Sequence, residues 1–133
     1  MEVKTSIITR SKDLPELCKG TFFHSRDLFC MLEQTPRLKP CMVVATDENG
    51  ETIGQILAQI RVKRRILGIN FTRRARVYSE GCYQDGIDNT EKGKLFDAMI
   101  DALVHHLLRH RCYHIELSDI SKKMFGYRTL RKH

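Results

Sequence analysis

Apolar and polar residues alternate through the first half of the chain with the period of two that β-strands require. The alternation is regular over residues 55–63, which predicts a long strand with one exposed face. Its apolar members are Ile56, Ala58, Ile60 and Val62. Met42–Thr46 is a compact apolar run, and Asp47–Gly50 after it has the composition of a hairpin turn. Gly54 interrupts the alternation, which indicates a bulge or a close approach of another backbone.

Two short helices are predicted before this hairpin. The first covers residues 11–20, from a capping serine with a proline in the first turn to a closing glycine. Ser25 caps the second helix, and Pro36 and Pro40 are predicted to end it. The apolar face of this second helix is formed by Leu28, Phe29 and Leu32.

The longest predicted helix covers Thr90–His110. It carries a continuous apolar stripe at helical spacing, which indicates core packing. The stripe consists of Leu95, Phe96, Met99, Ile100, Leu103, Val104, Leu107 and Leu108. Further strands are predicted at Val3–Thr9, Ala75–Ser79 and Tyr113–Leu117, and Ser121 is predicted to cap a last helix.

This order of elements predicts a mixed α/β (α+β) fold in one domain, residues 1–133. No apolar run approaches the roughly 20 residues of a membrane-spanning helix, and the N-terminus lacks the apolar core of a signal peptide. The five cysteines are odd in number and form no C-x-x-C pair. A disulfide framework or a structural zinc site is therefore not expected, and a cytoplasmic location is.

The formal net charge of +7 is concentrated in two segments, Arg61–Arg76 and Lys122–His133. Such a balance favours an anionic partner such as nucleic acid, phosphate or a membrane surface. A solvated face is the alternative interpretation of either segment. A nucleic-acid surface would also need exposed aromatic side chains among the basic ones for stacking, and the sequence does not interleave them.

The hairpin segment Val43–Gly54 resembles the central β-hairpin of GNAT acyltransferases, and the whole order of elements resembles the layout of that fold. Phe22–Ser25 with Pro36 and Pro40, together with Tyr78–Gly81, resembles the first half of FemAB-like proteins. Those are bacterial aminoacyl transferases that extend peptidoglycan cross-bridges. The resemblance implies a mixed, mainly antiparallel sheet flanked by helices, and transfer of an acyl or aminoacyl group to an amine.

The same resemblance implies an aminoacyl-tRNA or acyl-CoA donor and a cell-wall precursor or similar amine as acceptor. Glu80 is a candidate general base or substrate anchor, because a carboxylate at a strand end lies where an acceptor enters a splayed sheet. An ordinary loop carboxylate is the alternative. The basic segment would help to hold an anionic donor or acceptor. The candidates for substrate binding are Tyr78, Gly81, Tyr83, Arg73 and Arg74.

One departure from the GNAT pattern concerns the donor. GNAT enzymes bind the pyrophosphate of coenzyme A with a Gln/Arg-x-x-Gly-x-Gly/Ala loop at the start of the long helix, where backbone N–H groups grip an anion. Here Gly81–Glu91 holds that place without the motif. Its acidic residues Asp85, Asp88 and Glu91 would repel a pyrophosphate. Arg65–Asn70 resembles the motif superficially, but a strand is predicted after it instead of a helix.

A second departure concerns the end of the chain. The GNAT layout has a further strand or strand pair after the last helix, and FemAB-like proteins have a second GNAT-like half. We therefore expect a domain that lacks the C-terminal strands, truncated or the N-terminal half of a longer architecture, with a second half or a homodimer as partner. We expect little transferase activity from the isolated chain. The alternative function is a non-catalytic GNAT-like module that binds a partner, or a degenerate half of a transferase.

A histidine pair raises the question of a metal. His106 and His110 are spaced i, i+4 on the predicted long helix, which is compatible with metal binding. The H-E-x-x-H arrangement is absent. A polar helix flank explains the pair more simply, and no metal site is expected.

Overall fold

A computed structural model describes residues 2–64, 71–78, 80–112 and 114–118. Its strands are β1 (Lys4–Ile8), β2 (Leu38–Thr46), β3 (Thr52–Arg64), β4 (Phe71–Tyr78), β5 (Cys82–Tyr83) and β6 (His114–Ser118). Its α-helices are α1 (Arg26–Gln34) and α2 (Asn89–Arg109), and two 3₁₀ turns cover Ser11–Asp13 and Phe22–His24. The predicted helix after Ser121 lies outside the described residues. None of the helices in the described ranges is long and apolar enough to cross a membrane.

The strands form one sheet in the order β1-β2-β3-β4-β6, and β5 pairs with β3 beside β4. Neighbouring strands are antiparallel except β4 and β6, which are parallel. A parallel pair needs a long crossover connection, and α2 supplies it. The prediction of a mixed, mainly antiparallel sheet with helices on it is confirmed.

Each face of the sheet is covered by one helix. The core on the α2 face includes Val43, Ile56, Val77, Phe96 and Met99. The core on the α1 face includes Phe29, Leu32, Met42, Val44 and Leu57. Side chains of Cys41–Ala45 are buried on both faces, because β2 lies in the middle of these two layers. This explains why β2 reads as a continuous apolar run.

The helix predicted over residues 11–20 is wrong. Only Ser11–Asp13 forms a 3₁₀ turn, and residues 14–20 have no regular structure. The reason is a competing partner for the backbone. The N–H of Cys18 donates to Oε1 of Gln55 at 2.8 Å, and the carbonyl of Cys18 accepts from Nε2 of Gln55 at 3.0 Å. In a helix, the N–H and carbonyl of Cys18 would instead bond to backbone groups of that helix.

Helix α1 begins as predicted, since the Ser25 hydroxyl accepts from the N–H of Leu28 at 3.2 Å. Its end differs from the prediction in one respect, because Pro40 lies inside β2. Pro40 pairs in register with Gln59 of β3, whereas β1 ends opposite Met42. The missing N–H of the proline therefore falls on an open stretch of strand edge, where no ladder bond is lost.

Gly54 is a point of close approach, as predicted. β5 pairs with β3 there, with Tyr83 opposite Gly54. A Cβ on Gly54 would lie 3.1 Å from the Tyr83 ring. The register between β2 and β3 also shifts at Ala45 and Thr46, directly opposite. β5 itself was not predicted, because two residues are too short to show a periodic pattern.

Candidate active site

A break in β4 forms the centre of the candidate site. β3 pairs with β4 up to Ala58 and Val77, and with β5 from Gln55 and Cys82. Between these two pairs β3 contributes two residues and the opposite chain contributes four. The chain opposite β3 is thus two residues longer than β3 here, which indicates a bulge, and Glu80 lies within it.

Gly81 closes the bulge with a left-handed backbone, at φ 96°. A Cβ at this position would lie 2.9 Å from the backbone oxygen of Gln55, so both the conformation and the space require glycine. Gly81 thus shapes the backbone, and its part in binding a substrate stays a prediction.

Tyr83 stabilises the other side of the bulge. Its hydroxyl donates to the backbone carbonyl of Glu80 at 2.6 Å, and the Lys92 Nζ lies 5.9 Å from the centroid of its ring. Burial, followed by the charge of Glu80, raises the pKa of Tyr83 well above its usual range. Tyr83 therefore keeps its proton at neutral pH and acts here as a hydrogen-bond donor.

His24 fills the gap that the bulge leaves in the ladder. The imidazole is fully buried, and its Nδ1 accepts from the N–H of Leu57 at 2.9 Å. Nε2 is buried and has no hydrogen-bond partner among the described residues. Burial lowers the pKa of His24 to about 4, with a smaller opposing effect from the backbone of Tyr78. The ring is neutral at physiological pH.

Gln55 ties the segment before α1 to this part of the sheet. Besides its two bonds to Cys18, its Nε2 donates to the backbone carbonyl of His24 at 2.8 Å. Only 1% of the residue is exposed. One side chain therefore positions both ends of the stretch that lies against the bulge.

The β4–β6 pair reaches the bulge. Its last described register pair is Tyr78 with Ser118, and the chain after β4 follows β3 again as β5. The N-terminus of α2 follows after a short turn. One of its first N–H groups is already engaged, since Oδ1 of Asp88 accepts from the N–H of Glu91 at 2.8 Å. A second carboxylate, that of Glu91, lies in the same turn.

The two predicted arginines do not converge on this site. Arg73 and Arg74 are consecutive on β4 and therefore project from opposite faces. Nη1 of Arg73 donates to the carbonyl of His110 at the far end of α2, at 2.7 Å. Arg74 is opposite Arg61 of β3 on the α1 face. Both lie four or five residues before Tyr78, about 13–17 Å along the strand.

The rings of His106 and His110 are 4.3 Å apart, centroid to centroid. In the part of the chain that the structure describes, no group of three or more His, Cys, Asp and Glu side chains could hold a metal ion.

No family model and no curated protein matches this chain. Solved structures do. A ribosomal-protein-alanine N-acetyltransferase from Brucella melitensis biovar Abortus 2308 superposes with a TM-score of 0.58 at 12% identity, over 98% of this chain and 90% of that one. The aminoglycoside 6'-N-acetyltransferase AAC(6')-Ih from Acinetobacter baumannii gives 0.54 at 8% identity, over 97% and 88%.

A third similar structure is a tetramutant of the BH1408 protein from Bacillus halodurans, with a TM-score of 0.57 at 12% identity. The match covers 81% of this chain and 65% of that one, so the matched part spans less than two thirds of that protein. The chain has a GNAT-like fold. At these identities the likeness concerns the fold alone.

The GNAT-like fold puts the N-terminus of α2 where the pyrophosphate-binding loop of that family begins. The residues present do not fit a pyrophosphate. Asp88 occupies a backbone N–H that a phosphate oxygen would need, and Glu91 adds a second negative charge at the same helix end.

Sequence reasoning missed the roles of His24 and Gln55. Gln55 belongs to the polar series of β3 and was expected on the exposed face. A signal was present in β2, whose residues are apolar at odd and even positions alike. Both faces of that strand must therefore be covered by other parts of the chain. Gln55 pairs with Val44 of that strand and is buried with it. The burial of His24 carried no comparable signal.

Proposed function

We propose that this GNAT-like chain transfers an acyl group from an activated ester or thioester to an amine. The observation that carries the proposal is the bulge after β4, next to the last described register pair of β4 and β6. It brings a carboxylate, Glu80, to the end of β4. In proteins of this fold, acceptors enter where these two strands diverge.

The reaction requires the protein to position the donor and the acceptor and to remove a proton, and little else. The acceptor nitrogen forms a bond to the acyl carbon, and the bond from that carbon to the donor's sulfur or oxygen breaks. A cationic amine first gives one proton to solvent, and Glu80 takes the second proton, which the nitrogen loses as the new bond forms. The leaving thiolate or alkoxide departs with the electron pair and is protonated from solvent.

An acidic cavity next to Tyr83 supports an amine acceptor. Its volume is about 470 Å³, and it lies between the segment before α1, the hairpin turn and the residues after β5. The charged residues in its wall are Glu16, Glu51, Asp85 and Lys19. Three carboxylates against one ammonium group attract a cationic amine towards the bulge.

The sequence resemblance suggests a more specific donor and acceptor for this proposal. The FemAB-like form of the proposal has an aminoacyl-tRNA donor and a cell-wall precursor as acceptor. The general form has an acyl-CoA donor. Both are included in the tests below, and the non-catalytic module remains the outcome if neither is used.

Transfer is expected to be slow but dependent on Glu80. The Glu80→Gln variant should lower kcat about a hundredfold with little change in KM, because a general base acts in the transition state only. Single-turnover assays with acetyl-CoA, a short acetyl thioester and an aminoacyl-tRNA, each with a panel of primary amines, would measure this by mass spectrometry. Glu48→Gln, in the exposed hairpin turn, is the matched control and should keep the native rate. Equal rates for native and Glu80→Gln chains would refute this role, and absence of transfer with every donor would leave the partner-binding module.

The donor is expected to bind without help from its pyrophosphate. S-acetyl pantetheine, which lacks that group, should react with a KM within about tenfold of that for acetyl-CoA. The double variant Asp88→Asn/Glu91→Gln keeps a capping side chain and removes two negative charges, so it should tighten acetyl-CoA about fivefold. The pantetheine thioester should be unaffected and is the control ligand. A native chain that binds acetyl-CoA more than about a hundredfold tighter than the short thioester would contradict this account.

A further inference from the structure

The α1 face of β3, β4 and β6 carries a basic surface that takes no part in the bond-forming step of the proposed acyl transfer. We call it the basic face and define it by Arg61, Arg74, Arg76, Tyr78 and His114. Arg61 is opposite Arg74 across β3 and β4, and Arg74 is opposite His114 across β4 and β6. These three side chains are exposed. Neighbouring strands are about 4.8 Å apart, so the three form a row about 10 Å long.

Helix α1 covers only the other half of this face. It packs on Met42, Val44 and Leu57, at the β2 side of the sheet. No helix in the described parts of the chain covers the basic face, and Arg76 and Glu116 keep about half of their side-chain surface exposed, at 48% and 49%. As far as the described ranges go, the basic face is therefore accessible to a partner.

The direct opposition of Arg61 and Arg74 lowers the stability of the free protein. Like charges directly opposite each other on neighbouring strands destabilise a sheet. The acidic residue nearby is Glu116, and its carboxylate pairs with Arg76 at 2.8 Å. Among the described residues, neither Arg61 nor Arg74 makes an ion pair.

Among the described residues of this face, three arginines lie near one carboxylate, that of Glu116. The pKa of Glu116 is lowered by its hydrogen bond to Arg76, and the charges of Arg76, His114 and Arg74 add to the effect. A single carboxylate thus leaves a surplus of positive charge, which an anion with regularly spaced negative groups would complement.

Aromatic side chains lie on the same face, about 13 Å along β4 from the row. Tyr78 follows Arg76 on the same face of β4, and Nη1 of Arg76 is 3.1 Å from the tyrosine hydroxyl oxygen. The guanidinium carbon lies 5.7 Å from the centroid of the Tyr78 ring. The ring of Phe23 is 5.1 Å from that of Tyr78, and its neighbour Phe22 is 51% exposed. The fold thus supplies the aromatic residues that the basic sequence segment lacks.

We propose that the basic face binds single-stranded nucleic acid. Phosphates would lie along Arg61, Arg74 and His114, where the guanidinium groups can make paired hydrogen bonds to phosphate oxygens. A base would stack against Tyr78 and Arg76. The aromatic residues favour nucleic acid over an acidic peptide, because only the nucleic acid pairs each negative group with a planar ring. This proposal does not rest on acyl transfer.

Fluorescence anisotropy with labelled oligo-U and oligo-dT of about 12 nucleotides tests the proposal, without any acyl donor. Affinity for both should fall as salt rises from about 50 to 200 mM, with a slope corresponding to two or three phosphate contacts. Similar affinities would indicate that only phosphates and base faces are recognised. A clear preference for oligo-U would add a contact to the 2′-hydroxyl.

One substitution separates binding from folding. Arg61→Glu turns the like-charged pair with Arg74 into an opposite-charged pair, so Tm should stay the same or rise. Nucleic-acid affinity should nevertheless fall at least tenfold. Arg109→Glu makes the same charge change at an exposed position of α2, on the other side of the sheet, and should change affinity no more than about twofold. Tyr78→Leu should weaken binding about fivefold or more through lost stacking.

Three results would overturn the proposal. Absence of salt-dependent binding would exclude a phosphate surface. Equal effects of Arg61→Glu and Arg109→Glu would show that the net charge attracts the oligonucleotide without a defined face. Binding of poly-glutamate that matches oligo-U, with no effect of Tyr78→Leu on either, would assign the face to acidic proteins. None of these results depends on whether the chain is a transferase.

Discussion

Replacing Gln55 by leucine is expected to lower the free energy of unfolding by about 4 kcal/mol. The side chain makes three hydrogen bonds to backbone groups of Cys18 and His24, at 2.8–3.0 Å, and it is almost fully buried. Leucine has a similar volume and would leave these three groups without partners. An unsatisfied buried group costs about 1–3 kcal/mol, so three cost about 3–9 kcal/mol, and partial hydration near half-buried Cys18 keeps the sum towards the lower end of that range.

Urea unfolding followed by circular dichroism would measure this change. Gln59→Leu is the matched control, because Gln59 lies on the same strand and the same face but is only half-buried. It should change the free energy of unfolding by less than about 0.5 kcal/mol. A loss below about 1 kcal/mol for Gln55→Leu would mean that the backbone of residues 18–24 finds other partners.

The effect should extend to the candidate site. The segment that Gln55 holds contains His24, which fills the ladder gap beside the bulge. Cys18 at the other end of the segment borders the acidic cavity. Freeing this segment would disturb the cavity and the bulge together, so any acyl transfer and the stability of the chain should both decline in Gln55→Leu.

An element can be predicted when the residues that determine its structure lie within its own sequence. The hairpin of β2 and β3 and the helix α2 have their determinants inside their own periodic sequence, and they were predicted to within a few residues. The segment 14–20 has its determinant elsewhere, in a side chain more than thirty residues away. Capping serine and early proline favour a helix start there, and the tertiary bonds to Gln55 override that preference.

The candidate site shows the same division. Glu80 and Gly81 were predicted together because they are adjacent in sequence. Their position in a two-residue bulge depends on the pairing of β4 and β5 with one strand, which no local pattern records. The pairing of Arg61 with Arg74, and the approach of Phe23 to Tyr78, likewise depend on register and tertiary packing. The number of basic residues revealed the basic segment, but it could not show which of those residues lie on each face of the sheet.

The buried imidazole of His24 should make the protein less stable in mild acid. In the folded chain its pKa is about 4, and the ordinary value in the unfolded chain is 6.5. Between these values the unfolded state binds more protons, so stability is complete above pH 6.5 and is lost as pH falls towards 4. At about 1.36 kcal/mol per pH unit, the loss over this window is about 3 kcal/mol.

Urea unfolding at a series of pH values from 7.5 to about 4 would measure the effect. In His24→Asn the amide oxygen can still accept from the N–H of Leu57, and the titrating group is gone. This variant should be less stable than the native chain at pH 7, because it loses ring volume, but its stability should change much less between pH 6.5 and 4.5.

A second histidine provides the control for this interpretation. Burial and the neighbouring charges of His110 and Arg109 also lower the pKa of His106, which acts in the same direction. His106 is only partly buried, so its share should be smaller, and His106→Asn should keep most of the acid sensitivity. The pKa of Glu33 is lowered by its bonds to Ser11, and protonation of that carboxylate matters only below its ordinary value of 4.5. An unchanged slope in His24→Asn would place the acid sensitivity elsewhere and would imply that His24 can be protonated where it lies. The neutral form of the imidazole would then not be required for the position that His24 takes beside β3 at the bulge.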